Sequence, residues 1–282
     1  MVKLSNSEEK QISVELIDLK KDILKMIYNA QSGHPGGSLS CINILFVLYT
    51  KIMRFKKDDP QWEDRDIFIL SKGHAAPALY AVLSKIGLIK KEELLNLRKF
   101  GSDLQGHPVK NSKLGIEIST GSLGMGLSVG VGCALALKLD KKDNFVYVLV
   151  GDGELNEGAI WEAAMAANHY KLDNLITIVD RNGIQIDGST EEIMALEPLA
   201  EKWKAFGWEV IEVDGSNINE TIQAFERSKK ILRKPKIIIS YLVKGSEVSF
   251  MEHTKKFHGR APNKEEFEMA MKELETLRSR LT

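Results

Sequence analysis

Gly151, Asp152 and Gly153 follow the apolar run Phe145 to Val150, and Asn182 follows the apolar run Leu175 to Val179. Such runs read as buried parallel strands, which places Asp152 and Asn182 side by side at strand C-termini, the edge where open α/β sheets bind ligands. A carboxylate and a carboxamide oxygen suit a hard cation such as Mg²⁺, which takes about six oxygens. Two side chains leave most of that shell to water or phosphate, so the pattern implies a phosphate ligand. The segment after Asp152, ELNEGAIWEAAMAANHY, is rich in helix formers. Gly153 and Glu154 are therefore expected where a helix begins and N–H groups point outward. Metal and helix terminus together would hold a diphosphate. A glycine turn with a solvated aspartate, or an asparagine at a strand exit, is ordinary by itself, so the inference rests on the pair.

The elements that must position this pair alternate. From Ser7 to about Ala30, Ile12, Leu16, Leu19, Ile23, Met26 and Ile27 recur at helical spacing, and the run ends in the breaker cluster SGHPGG. A second helix is expected over Cys41 to Met53, a short strand over Ile67 to Leu70, and a helix from near Ala75, which puts His74 in a strand-to-helix turn. A loop from Gly101 to Ser122 leads to a glycine-rich helix, and the Asp152 strand, an alanine-rich helix and the Asn182 strand follow. Beyond them the pattern predicts a helix over Glu197 to Phe206, a strand over Trp208 to Val213, a helix over Ile218 to Leu232, a strand over Lys236 to Val243 and a charged helix over Lys264 to Leu281. This βαβ alternation predicts an α/β fold, a mainly parallel sheet with helices on both faces. No repeat or linker divides the 282 residues, so a single domain over 1–282 is expected.

Lysine plus arginine equals aspartate plus glutamate at 39 each, so no net field recruits nucleic acid or an anionic membrane surface. The start, MVKLSNSEEKQ, lacks the apolar core of a signal peptide, which makes a cytoplasmic location the expectation. The uncharged stretch Ile118 to Leu137 contains five glycines, Ser119, Thr120, Ser122 and Ser128, a poor membrane span that reads as a loop entering a tightly packed helix. Cys41 and Cys133 form no CxxC pattern and read as buried, reduced thiols.

The ordered series SGHPGGSLS, LSKGHAAPALY, GHP at 106–108, TGSLGMGLS, VGDGELNEGAIWEA, VDRNGIQIDG and FHGRAP resembles the diphosphate-binding domain of transketolase, a thiamine-diphosphate enzyme, from about residue 10 to about residue 265. GDG followed by Asn names only the cofactor, whereas the GHP, GHA and HGRAP set points to the transketolase branch. The resemblance implies the thiamine-diphosphate-binding fold, with Asp152, Asn182 and the main-chain carbonyl of Ile184 as Mg²⁺ ligands. It implies further that Gly153 and His74 contact the diphosphate, that Gly121 and Leu123 lie along the cofactor, and that Glu157 stands near the cofactor-activating carboxylate of a partner domain. His34, His107 and His258 would face the substrate, holding ketose hydroxyls and the oxygen that turns negative when the carbonyl is attacked. His169 and His253 match no such site, and Asp187 reads as a turn residue. Leu114 stands where the family often has proline, which would loosen that loop. Ser246 and Glu247 replace what is commonly Lys and Gly, adding negative charge on the way to His258.

Members of this family usually continue into a pyrimidine-binding domain and a third domain, which carry the activating glutamate, an aromatic pocket and basic residues for the sugar phosphate. The sequence here stops at Thr282. The expectation is therefore the N-terminal subunit of a split transketolase, active with a separate C-terminal subunit, as two copies of each. It would move a two-carbon ketol unit from a ketose phosphate to an aldose phosphate. Half of a deoxyxylulose-phosphate synthase, half of a transketolase for an unusual sugar, and a non-catalytic cofactor-binding subunit remain as alternatives. A metal-dependent phosphohydrolase is disfavoured, because one aspartate and one amide leave no evident general base or second metal.

Overall fold

The computed structural model describes residues 4–281; residues 1–3 and 282, the ends of the unit expected from the sequence, lie outside the described residues. Five strands, β1 (Ile67–Leu70), β2 (Val146–Gly151), β3 (Leu175–Arg181), β4 (Glu209–Asp214) and β5 (Lys236–Tyr241), form one sheet in the order β1-β2-β3-β5-β4. Every pairing is parallel. All residues of β2 and β3 are buried, which is why both read as unbroken apolar runs rather than alternating ones.

The helices are α1 (Asn6–Ala30), α2 (Pro35–Val47), α3 (Ala76–Lys85), α4 (Met125–Leu139), α5 (Gly158–His169), α6 (Thr190–Ile193), α7 (Leu199–Ala205), α8 (Ile218–Lys230) and α9 (Lys264–Leu281). Successive strand residues face opposite ways and enter separate cores. Tyr147, Leu149, Ile176 and Ile178 pack with α1, α2, α3, α8 and α9. Val146, Val148, Val150, Leu175 and Val179 pack with α4, α5 and α7. The chain steps from β1 to β2 to β3, jumps to β4 at the edge, then returns to β5. A right-handed crossover on that return step must run on the opposite face from the β2-to-β3 step, and α8 does lie opposite α5.

Two helix starts differ from the sequence expectation. The second helix begins at Pro35, not Cys41, because proline suits a first helical position and the glycines of SGHPGG enter the first turn rather than ending a loop. Gly37 allows a close approach there, since a Cβ would stand 3.1 Å from His74 Nε2. After β2 the chain makes a short 3₁₀ turn, Gly153–Asn156, before α5 starts at Gly158. Asp152 and Glu154 side chains take the N–H groups of Gly153 (2.8 Å) and Gly151 (3.0 Å), so Gly153 does not sit at an open helix terminus. Leu114 is buried in the core at the end of a 3₁₀ turn. Cys41 is buried, Cys133 only half-buried, and both are free.

Candidate functional site

The C-terminal ends of β1, β2, β3 and β5 deliver Gly73 and His74, Asp152, Asn182, and Lys244 to one cleft. Asp152 is 2% exposed. Its Oδ1 accepts from Gly153 N, while Oδ2 accepts from Gly183 N (2.6 Å) and from Arg181 Nη1 (3.3 Å). Burial and the neighbouring Asp180 carboxylate raise its proton affinity above the usual carboxylate range. Asn182 Oδ1 accepts from Ile184 N at 3.1 Å, which fixes the turn that presents the Ile184 carbonyl. That carbonyl accepts from Lys244 Nζ at 2.7 Å, so its oxygen already faces a cation.

This donor set fits a magnesium diphosphate. One carboxylate, one carboxamide and one main-chain oxygen are hard donors, and they leave open the positions that phosphate and water take. Among the described residues no group of three or more His, Cys, Asp or Glu side chains could hold a metal.

Above these oxygens stand four imidazoles. His34 lies 5.3 Å from His74, 5.6 Å from His258 and 5.8 Å from His107, centroid to centroid, and His74 lies 5.3 Å from His258. Gly121, at φ +134°, lies so close that a Cβ would meet His107 Cδ2 at 3.0 Å. Lys244 joins the two halves of the site, because its Nζ also lies 2.9 Å from His258 Nδ1. Burial, followed by surrounding positive charge, lowers every one of these imidazoles: His34 to about 4, His258 to about 3, His74 well below its usual value, and His107 in the same direction. Each is therefore neutral at pH 7, with one nitrogen to donate and one to accept. His34 Nδ1 is buried without a partner.

The structure thus gathers Asp152, Gly153, Asn182 and Ile184 at one end, and His34, His74, His107, His258 and Gly121 at the other. Leu123 is half-buried in the turn before α4. Glu157 is exposed at the N-cap of α5, packed on Gly124, where a Cβ would approach Glu157 Cβ to 2.6 Å. It stands on the rim rather than among the imidazoles. His169 and His253 are exposed, His169 against Tyr170, and Asp187 is an exposed turn residue whose carbonyl accepts from Lys255.

Several residues that shape the site do not stand out in the sequence. Lys72 and Asp180, 1% and 0% exposed, form a buried ion pair beneath the cleft, and Ser40 Oγ also donates to Asp180. Lys72 Nζ reaches the Gly37 carbonyl at 3.1 Å, which ties the first turn of α2 to β3. Despite burial, the Asp180 charge holds the Lys72 ammonium above its ordinary range. Glu154 accepts from Ser71 Oγ and from the main-chain N–H groups of Gly124 (2.9 Å) and Gly151 (3.0 Å), joining three loops of the cleft. Lys244 is 2% exposed, and burial brings it down to about 8. All lie inside or beside the motifs LSKGH, VDRN and VGDGE or just after the β5 strand. Nothing in residue type alone separates a buried lysine from a surface one. Glu247 forms an ion pair at 3.0 Å with buried Lys20, whose Nζ also donates to Ser246 Oγ at 3.2 Å. The two departures after β5 thus meet one cation on α1.

A family model described as transketolase, thiamine diphosphate binding domain, matches residues 15–277, and the chain belongs to that family. It is 47% identical over 268 residues to one of the subunits of the apulose-4-phosphate transketolase from Phocaeicola vulgatus, covering 93% of this chain and 95% of that one. To the 6-deoxy-6-sulfo-D-fructose transketolase subunit SqwG of a Clostridium species it is 43% identical over 257 residues, covering 91% and 94%. The transketolase structure from Campylobacter jejuni superposes with a TM-score of 0.85 at 33% identity, covering 96% of this chain but only 45% of that one. The fold is accordingly the thiamine-diphosphate-binding fold. The chain spans less than half the length of such solved transketolases. Among the described residues, no helix is long and apolar enough to cross a membrane.

Proposed function

We propose that this chain is a single diphosphate-binding unit, the N-terminal subunit of a two-chain cytoplasmic transketolase, which transfers a two-carbon ketol unit from a ketose to an aldose. The observation that carries the reading is the convergence of Asp152, Asn182 and the Ile184 carbonyl at one sheet edge beneath a cluster of neutral imidazoles. Asp152, Asn182 and Ile184 hold Mg²⁺, with Gly153, His74 and Lys244 toward the diphosphate; burying that anion without a dication and donors would be prohibitive. Gly121 and Leu123 flank the cofactor. Bound thiamine diphosphate supplies the carbon nucleophile. His34, His107 and His258 orient the sugar: a neutral imidazole donates to the carbonyl oxygen as charge develops on it and accepts from a hydroxyl.

The relatives from Phocaeicola and Clostridium are named as transketolase subunits for a phosphorylated sugar and for a sulfonated one. By that support the ketose here is an unusual sugar ending in a phosphate or sulfonate. A second chain supplies the pyrimidine end, in a complex of two copies of each, with Glu157 on the rim that meets it.

Calorimetric titration with thiamine diphosphate tests the reading. Binding is expected with Mg²⁺ and lost with a chelator. Asp152→Asn, which keeps shape but removes the charge, should weaken it on the order of 100-fold, about 2.7 kcal/mol. Equal affinity with chelator, or in the variant, would overturn the assignment.

A further inference from the structure

Among the described residues, Arg98 is a cation of the cleft wall whose side chain has no hydrogen-bond or ion-pair partner. It lies in the loop between α3 and α4 at φ +60°, a left-handed conformation unusual for a residue with a side chain, held by its N–H donating to Leu104 O at 2.8 Å. Its guanidinium lies flat against Gly106, where a Cβ would stand 2.7 Å from Nε and 2.5 Å from Cζ. A side chain at Gly106 would displace the guanidinium from this position, and the next residue is His107. The side chain makes no hydrogen bond or ion pair with any described residue, and its Nε is buried without a partner. After burial itself, Arg98 is the largest cause of the lowered proton affinity of both His34 and His107, whereas it plays no such part at His74 or His258. Packed on Gly106, the neighbour of His107, it stands at the His107 end of the imidazole row. Lys244 holds the near end, with His258 and the Ile184 carbonyl, and Lys72 is already neutralised by Asp180.

Half-burying a guanidinium beside imidazoles with no acceptor costs free energy that an anion in the cleft would return. A diphosphate bound against Asp152, Asn182 and Lys244 lies at the other end of the row. The planar fork of an arginine matches the oxygens of a phosphate or sulfonate in pairs.

We propose that Arg98 binds an oxyanion of the phosphate or sulfonate class, carried by the sugar substrate, at the His107 end of the cleft. This chain then contributes its own contact to the charged part of the substrate instead of leaving that task wholly to a partner. The inference rests on the transketolase reading for the identity of the sugar, but the anion site is testable without it.

The full-length chain is titrated with inorganic phosphate and, separately, with methanesulfonate, with and without saturating thiamine diphosphate and Mg²⁺. Binding is read by calorimetry and by the imidazole NMR signals of His107 and His258. Expected is anion binding that shifts His107 and persists when the cofactor is bound. Arg98→Gln should weaken it about 10-fold or more, and Arg98→Lys, which keeps the charge but loses the planar fork, should fall between the parent and Arg98→Gln. The tighter of the two probes identifies the class of the group. Cofactor affinity in Arg98→Gln should stay within about 2-fold of the parent, which shows that the variant is folded. Anion affinity unchanged in Arg98→Gln, or binding that shifts His258 alone and disappears with cofactor, would overturn the proposal. A chain that binds no thiamine diphosphate yet shows the Arg98-dependent anion site would sink the functional reading and leave this one standing.

Discussion

Four neutral imidazoles, three of them with centroids within 6 Å of His34, give the site a pH signature whose sign follows from their burial. In the unfolded chain each takes up a proton near pH 6.5, whereas in the fold His34 waits until about 4 and His258 until about 3. Between those values the unfolded state binds more protons, so stability is complete above about pH 6.5 and declines as pH falls toward 4. Urea midpoints of the unliganded chain at pH 8, 6.5, 5 and 4 should show that decline, and His258→Gln should flatten it. A midpoint independent of pH over this range would contradict the neutral cluster. The Lys72–Asp180 pair is a separate case. Lys72→Met leaves a fully buried carboxylate unpaired and should cost roughly 3–5 kcal/mol. Adding Asp180→Asn should recover part of that cost, which a double-mutant cycle in urea measures; simple additivity would mean the two charges do not interact.

At the scale of elements, glycines decide how closely the helices approach the loops that carry the site. In α4, a Cβ on Gly126 would fall 2.8 Å from Ser71 Cα, on the loop that hands Ser71 Oγ to Glu154. A Cβ on Gly132 would meet nothing within 4 Å. Gly126→Ala should therefore destabilise by about 1–3 kcal/mol, while Gly132→Ala should stabilise the isolated chain by about 0.5–1 kcal/mol by its helix preference. Equal effects in chemical denaturation would show that α4 does not pack as described. The same contrast explains what the sequence could tell. Strands β2 and β3 are legible because burial on both faces leaves an unbroken apolar run, and Asp152 and Asn182 are legible because they end those runs. The start of α2 is not, because glycines that serve close packing look the same in a sequence as glycines that break a helix. Lys72, Glu154 and Arg98 stay hidden for a related reason, since their meaning lies in partners, or a lack of them, brought from distant segments.

At the scale of the molecule, the proposed roles account for one end of a cofactor and one wall of a substrate cleft. In the proposed reading, Asp152, Asn182, Ile184 and Lys244 would hold a magnesium diphosphate and the imidazoles would face a sugar. The rim beside them carries exposed Glu157 and, on α4, Met125, which is 51% exposed at the helix start. A cofactor fixed by its diphosphate alone keeps its reactive end mobile, and orientation can be worth several powers of ten in rate. The purified chain with thiamine diphosphate and Mg²⁺ is thus expected to bind cofactor but turn over no ketose measurably. Adding the separately purified partner subunit should raise turnover by at least about 1,000-fold. Sizing by light scattering should then give a complex containing two copies of each chain. Turnover by this chain alone at a rate close to that of the mixture would sink the two-chain reading while leaving the diphosphate site intact. Failure of both chain and mixture to bind cofactor would instead remove the site itself.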